Sequence, residues 1–315
     1  MAEFTADLLD RPAVQGACAV ALAYLDDAHA AAMRLNDRTD REALHDFRVA
    51  IRRLRVTVRA YPGAHENVPK SQRSRLRKLA RATNPARDAE VQIAWFNDHS
   101  GRFSRAQRAA LAPIRARLRA HRRRELARSQ QKLQRWFGKV ERKLRRRLAA
   151  VQSDAGAREA PFRAVAAATL VQYADELRAR LETASPSSDA RELHATRIAA
   201  KRLRYLLEPV EPGLSEAGPL VERLKNLQDL FGALTDAHEL GTVLQNRADV
   251  AAAAGVLRAE VAASFAKLRD EWSKAGPALH GDVEAAAQRL RPRPAAKPPR
   301  SVQQPTRRRR RDLTV

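Results

Sequence analysis

Two fifteen-residue stretches carry one pattern, and that pattern limits what the chain can fold into. The first runs HDFRVAIRRLRVTVR from His45 to Arg59, the second HATRIAAKRLRYLLE from His194 to Glu208. His194, Arg197, Lys201, Arg202 and Arg204 fall in the register of His45, Arg48, Arg52, Arg53 and Arg55. Upstream, at the same offset, Pro12 matches Pro161, Tyr24 matches Tyr173 and Asp26 matches Asp175. Downstream, after a one-residue slip, LRKLARATNPARDAE from Leu76 aligns with LKNLQDLFGALTDAH from Leu224, pairing Leu79 with Leu227 and Asp88 with Asp236. A repeat of this length implies two copies of one helical unit related by an approximate twofold. Their cationic stripes then face each other or a shared cavity.

The stripes follow from helical spacing. At about 100° per residue, His45, Arg48, Arg52, Arg55 and Arg59 fall within a sector of roughly 80°. Phe47, Ile51, Leu54 and Val58 occupy the neighbouring flank. One helix thus carries an apolar stripe for a core and a cationic stripe beside it. Like charges at i, i+3 and i+4 repel by a few tenths of a kcal/mol per pair, so an anionic partner is expected to compensate them. A following helix from Lys70 to Ala82 places Arg73, Arg77 and Arg81 one turn apart, with Leu76 and Leu79 turned largely away.

Charge narrows the partner. Sixty Lys plus Arg against 36 Asp plus Glu give a formal net charge of +24 and a pI near 11.3, which favours a polyanion: nucleic acid, polyphosphate or an anionic membrane. Aromatic residues make up only 5%, too few for rows of base-stacking platforms. The one cysteine, Cys18, excludes an intramolecular disulfide and a multi-cysteine metal site. No apolar run is long enough to span a bilayer and no signal-peptide pattern opens the chain, so a reducing cytoplasm is expected.

In chain order, residues 1–11 read as a lead-in, and Pro12 as the first position of a helix running to about Arg34. A polar connection leads into the basic helix, which Tyr61-Pro62-Gly63 stops, followed by a short loop. Asn84-Pro85 interrupts or caps the next helix. Residues 104–150 are the most arginine-rich part and read as long helices. The second copy starts at Pro161 and includes a helix from Pro219. Gly232 falls at the position of Asn84, and both types suit a helix end or a positive φ. Residues 251–290 supply closing helices around Leu257, Val261, Phe265, Leu268 and Trp272. From Arg291, proline and repeated arginine predict a disordered basic tail.

No Gly-rich phosphate loop, His-Glu-x-x-His, Gly-x-Ser-x-Gly or Glu-x-Glu pair is present. Arginines surround His45 and His194, so each reads as a donor to an anion and not as a metal ligand. Asp88 and Asp236 suit helix N-caps or arginine-orienting partners.

The doubled arrangement resembles the CHAD family, the conserved-histidine α-helical domain. It is carried by His45-x-x-Arg48-x-x-x-Arg52-Arg53-x-Arg55 with Arg87-Asp88, and by His194-x-x-Arg197-Ile198-x-x-Lys201-Arg202-Leu203-Arg204-Tyr205 with Leu227-Gln228 and Gly232. The resemblance implies an all-α fold of two pseudo-twofold-related helical bundles whose basic residues line a central groove or pore. It spans residues 5–290, with repeat 1 about 5–152 and repeat 2 about 160–290, and leaves 291–315 as the tail. It also implies binding of inorganic polyphosphate, with some members on polyphosphate granules; many members are fused to a triphosphate-tunnel domain, and a stand-alone member without one is expected here. Two departures make the second half less cationic: Glu208 stands where the first has Arg59, and Asp229 where it has Arg81.

The expectation is therefore a non-enzymatic binder of polyphosphate, cytoplasmic or on granules, with no cofactor and no metal. Arg48, Arg52, Arg55, Arg197, Lys201 and Arg204 would be the central contacts, with His45 and His194 as added donors. Arg73, Arg77, Arg81 and Lys225 would extend the track, with Arg59 at the end of the first stripe and Arg53 and Arg202 off its axis. The rival is a basic helical protein that binds nucleic acid, to which the tail would contribute.

Overall fold

A computed structural model of the chain describes residues 2–35, 37, 40, 42–151, 160–183, 190–244 and 251–291. Ten α-helices account for nearly all of them, and among the described residues there is no strand: α1 (Ala13–Arg34), α2 (Ala43–Ala60), α3 (Pro62–Asn67), α4 (Lys70–Ala82), α5 (Asn84–Asp98), α6 (Arg105–Ala150), α7 (Phe162–Thr183), α8 (Ala190–Leu207), α9 (Ala217–Leu244) and α10 (Ala251–Leu290). The basic tail predicted from Arg291 lies, beyond that first residue, outside the described residues.

α2 forms as its spacing predicts. Phe47, Ile51, Leu54 and Val58 are buried on one face, and Asp40 accepts hydrogen bonds from the backbone N–H groups of Glu42 and Ala43 at 3.0 Å each, serving the helix start. Arg34 at the end of α1 reaches Asp40 at 2.8 Å and Asp46 at 2.6 Å, which stitches the two helices together. The Phe47 ring meets Phe137 of α6 edge-on at 5.1 Å, and burying such a ring contributes about 2 kcal/mol.

One core runs through the molecule. α1 lies against α2, α6 and α7; α8 lies against α7, α9 and α2; α10 covers α7 and α9. The central contacts join matched segments: α1 meets α7 and α2 meets α8. Pro12 and Pro161, aligned in sequence, face each other in an isolated antiparallel bridge. Ala13 N–H donates to the Ala160 carbonyl at 2.9 Å and Phe162 N–H to the Arg11 carbonyl at 2.8 Å. Gly16 is small for a reason: a methyl group there would come within 2.5 Å of the Phe162 side chain. Trp95, Phe96, Phe103, Leu111 and Ile114 form a second, smaller cluster where α5 meets α6.

Several sequence expectations change. Pro62 ends α2 but opens α3, because its missing N–H and fixed φ suit a first helical turn, so the expected loop is a short helix. The lead-in carries a 3-10 turn over Ala6–Asp10 that buries Leu8 and Leu9. Residues 105–150 form one helix, with Pro113 accommodated inside it and a Ser104–Gln107 capping box at its start. Residues 251–290 are likewise one helix; Phe265 and Leu268 are buried, while the side chains of Leu257 and Trp272 lie outside the described residues. Gly232 sits inside α9, which begins at Ala217, and so marks no helix end. Cys18 is buried in α1, and burial pushes its thiol up to about 11, which makes it unreactive.

Candidate functional site

A cavity of about 630 Å³ lies where the matched helices meet. α2 contributes His45, Arg48, Arg52, Arg55 and Arg59; α4 contributes Arg77 and Arg81; α5 contributes Asn84, Arg87 and Asp88. From the other half come Tyr173 of α7, His194, Arg197, Lys201, Arg202 and Tyr205 of α8, and Asp236 of α9. Nine arginines and one lysine thus face one space with two carboxylates among them. Small-molecule pockets are lined mainly by apolar groups, and this one is not.

The cations are held, not merely exposed. Arg48 donates to the Thr83 hydroxyl at 2.6 Å and to Asn84 Oδ1 at 3.1 Å, so the α4–α5 junction anchors it. Arg197 lies 3.6 Å from Asp236. Gly232 makes room for that guanidinium, since a methyl group would sit 3.0 Å from its Nη2. Arg202 bonds Glu176 at 2.9 Å.

Electrostatics show a site short of negative charge. Burial, then Arg197 and Arg52, push Lys201 down to about 6. Burial and Arg52 lower Arg48 to about 10, and burial with Arg52, Arg77, Arg81 and Arg202 lowers Arg55. His45 is lowered by burial and Arg87; His194 by burial, Arg197, Lys201 and Arg52. Cations from the two halves therefore sense one another across the cavity. Burial raises both Asp88 and Asp236 despite their arginine neighbours; Asp236 also raises Asp88 from across the space, while His194 lowers Asp88 and Arg87 lowers Asp236.

Of the fifteen sequence-predicted positions, eleven line the cavity: His45, Arg48, Arg52, Arg55, Arg59, Arg77, Arg81, His194, Arg197, Lys201 and Arg202. Four do not. Arg53 is sandwiched between the rings of Tyr24 and Tyr205, with its Nε 2.8 Å from Glu208 although the N–H is not aimed along that line. Arg204 stacks on Tyr205 at 5.0 Å and lies 3.7 Å from the same carboxylate. Arg73 donates to the carbonyls of His65 at 2.8 Å and Val68 at 3.0 Å, closing the α3–α4 turn. Lys225 stands exposed beside Glu222.

Asp88 and Asp236 are helix-interior residues, which corrects the N-cap alternative; Asp236 does hold Arg197. Thr83, Asn84, Arg87, Tyr173 and Tyr205 were absent from the predicted set. Arg87 carried a signal, its place beside Asp88 in the matched segment; Thr83 and Asn84 carried none, because they work by gripping Arg48.

A family model described as the CHAD domain matches residues 19–245. The chain belongs to the CHAD family. Among solved structures, the CHAD domain from the plant Ricinus communis superposes with a TM-score of 0.60 at 21% identity, covering 92% of this chain and 98% of that one. PptA from Streptomyces chartreusis superposes at 0.63 with 18% identity, covering 84% and 100%. No curated protein matches the chain by sequence. At these identities the likeness supports the fold alone. Among the described residues of this CHAD domain, no helix is long and apolar enough to cross a membrane.

The Arg53–Glu208 contact ties α2 to the end of α8, with side chains only 12% and 14% exposed. Glu208→Gln is expected to cost about 3 kcal/mol in urea unfolding, because Arg53 and Arg204 lose their shared counter-charge. An unchanged urea midpoint would show that the carboxylate does not hold them.

Proposed function

We propose that this CHAD domain binds inorganic polyphosphate without chemically altering it, in a cavity formed by two copies of one helical unit. CHAD domains as a family are linked to polyphosphate binding. The observation that carries the reading is the convergence of ten cations from both halves on one space that holds two carboxylates. Arginine forks bind phosphoryl oxygens in pairs and lysine adds a point charge, so Arg48, Arg52, Arg55, Arg197, Lys201 and Arg202 form the grip. Arg59, Arg77, Arg81 and Arg87 extend it, and His45 and His194 add donors. A phosphate polymer carries charge without bases. The cavity suits that: its aromatic members are Tyr173 and Tyr205, and the Tyr205 ring is already taken by Arg53 and Arg204. Binding of this kind would by itself recruit the protein to a polyphosphate-rich granule.

The test places long-chain polyphosphate, duplex DNA and inorganic phosphate side by side as competitors of labelled polyphosphate. Unlabelled polymer is expected to displace the label, duplex DNA at equal phosphate is not, and inorganic phosphate does so only at far higher concentration. Displacement by DNA as effective as by polyphosphate would favour the nucleic-acid reading. Prolonged incubation should leave the polymer length unchanged, and release of phosphate would make the protein an enzyme.

Binding should also take up protons. His45 and His194 are lowered by burial and neighbouring cations and Lys201 is pushed down to about 6, so all three are largely neutral at pH 7, and an anion beside them raises their affinity for a proton. Affinity should therefore climb as pH falls through the histidine range and level off below it. Calorimetry in buffers of different ionisation enthalpy measures the uptake. An unchanged uptake in His45→Gln/His194→Gln would take the histidines out of the site.

A further inference from the structure

α6 carries seventeen Lys plus Arg against two glutamates, and none of them lines the cavity. Both glutamates, Glu125 and Glu141, are turned inward, at 14% and 11% exposed. Leu133, Phe137, Val140, Leu144 and Leu148 bury the opposite face in the main core. The outward face holds two series spaced seven residues apart, Arg128, Arg135 and Arg142, and Lys132, Lys139 and Arg146, all exposed. On a helical wheel these six fall within roughly 80°, and successive charges stand about 5 Å apart along the axis over roughly 27 Å. Arg117 and Arg124, also exposed, continue the row toward the helix start. Of these eight, Arg128 alone has an acidic partner among the described residues, Glu125 at 2.6 Å. Trp136 stands beside the row with 45% of its surface exposed, against 8% for Trp95, and with Arg128, Gln131, Lys132, Gln134 and Arg135 it bounds an open hollow.

From this arrangement we infer a second polyanion site on the outer face of α6, one that takes single-stranded nucleic acid along its phosphates and stacks a base on Trp136. The site is independent of whether the cavity takes polyphosphate. A bare phosphate polymer has no use for an exposed indole, whereas unpaired bases stack on one while cations track the backbone. A stiff duplex turns its phosphates around its own axis, so a straight row meets few of them; a flexible strand follows the whole row. The molecule is thus built to hold two polyanions at once on separate surfaces.

The experiment uses the full chain and fluorescein-labelled oligothymidine. Arg128→Gln/Arg135→Gln/Arg142→Gln alters exposed positions with a good helix former and should keep the far-UV circular dichroism of the wild type. At about 0.1 M salt it should weaken oligothymidine binding by roughly 10- to 100-fold and make the log–log salt slope shallower by about 2, at about 0.7 per lost contact on a single strand. Displacement of labelled polyphosphate by unlabelled polymer should stay as in wild type. Trp136→Leu should cost several-fold with oligothymidine and little with an abasic strand, and should remove the fluorescence quenching that oligothymidine produces.

Equal oligothymidine affinity for the α6 variant and wild type overturns the inference. So does loss of oligothymidine binding on neutralising the cavity, by Arg48→Gln/Arg52→Gln/Lys201→Gln, or the terminal arginines 307–311. Tighter binding of polyphosphate or duplex DNA than of oligothymidine to the cavity-neutralised protein, lost again in the α6 variant, would assign this face to a different polymer. Failure of the polyphosphate reading would instead show as a cavity variant that binds polyphosphate like wild type.

Discussion

A fourfold rise in salt is expected to weaken polyphosphate binding by about 10²- to 10³-fold. Each cation that neutralises a phosphate releases condensed counterions, at about 0.7 log unit per decade of salt on a flexible single strand, and six contacts make that about 4. The six are Arg48, Arg52, Arg55, Arg197, Lys201 and Arg202, all in the cavity wall. Arg202 takes the place expected of Arg204, whose guanidinium is turned onto Tyr205 and Glu208. Neutralising Arg48, Arg52 and Lys201 together should flatten the slope by about 2. Titrations across a salt series read both quantities. A flat response in the wild-type protein would mean the cavity does not grip a charged polymer.

Lys201→Met should stabilise the empty protein while weakening its hold on polyphosphate. The folded-state value of Lys201, about 6, lies far below the ordinary lysine value near 10.4, so between those limits the unfolded chain binds the extra proton. Stability from this group therefore rises with pH from about 6 to about 10, and at pH 7 the lysine costs a few kcal/mol. Burial is the main cause, with Arg197, Arg52 and Arg204 adding repulsion and Asp236 only partly offsetting it. Methionine keeps the length of the side chain and removes the charge. The melting temperature at pH 7 should rise by several degrees, and the pH dependence between 6 and 10 should shrink. Polyphosphate should raise the melting temperature of wild type more than that of the variant, because beside phosphate Lys201, largely neutral in the empty protein at pH 7, can take up a proton and pair, which methionine cannot. A variant that melts earlier than wild type when empty would mean that Lys201 is well paired in the folded state.

Much of this was legible because helical spacing is a strong signal. The stripe of α2 could be read from Arg48, Arg52, Arg55 and Arg59, since the apolar set Phe47, Ile51, Leu54 and Val58 fixes which way the helix turns. Spacing cannot say which stripe residue a distant group will claim. Arg204 sits on the stripe of α8, yet Glu208 one turn later draws it aside. That pairing was visible in the sequence, although the claim of Arg53 on the same carboxylate from another helix was not. Arg73 has the spacing of Arg77 and Arg81, but backbone carbonyls at His65 and Val68 capture it, and carbonyls leave no trace in composition. Gly232 misled because glycine commonly ends helices; here its missing side chain leaves room for Arg197. Pro62 misled similarly, since proline both stops one helix and opens the next.

The Tyr24–Arg53–Tyr205 sandwich bears on how such a cavity can vary. It uses a guanidinium to join α2 to α8, so counting the arginines of the two stripes overstates how many cations face the cavity. Glu208 answers that guanidinium, and a neutral residue at either position strands the other in a poorly solvated seam. The two positions should therefore change as a couple among descendants of this chain, while cavity arginines such as Arg59 and Arg77 can be exchanged one at a time.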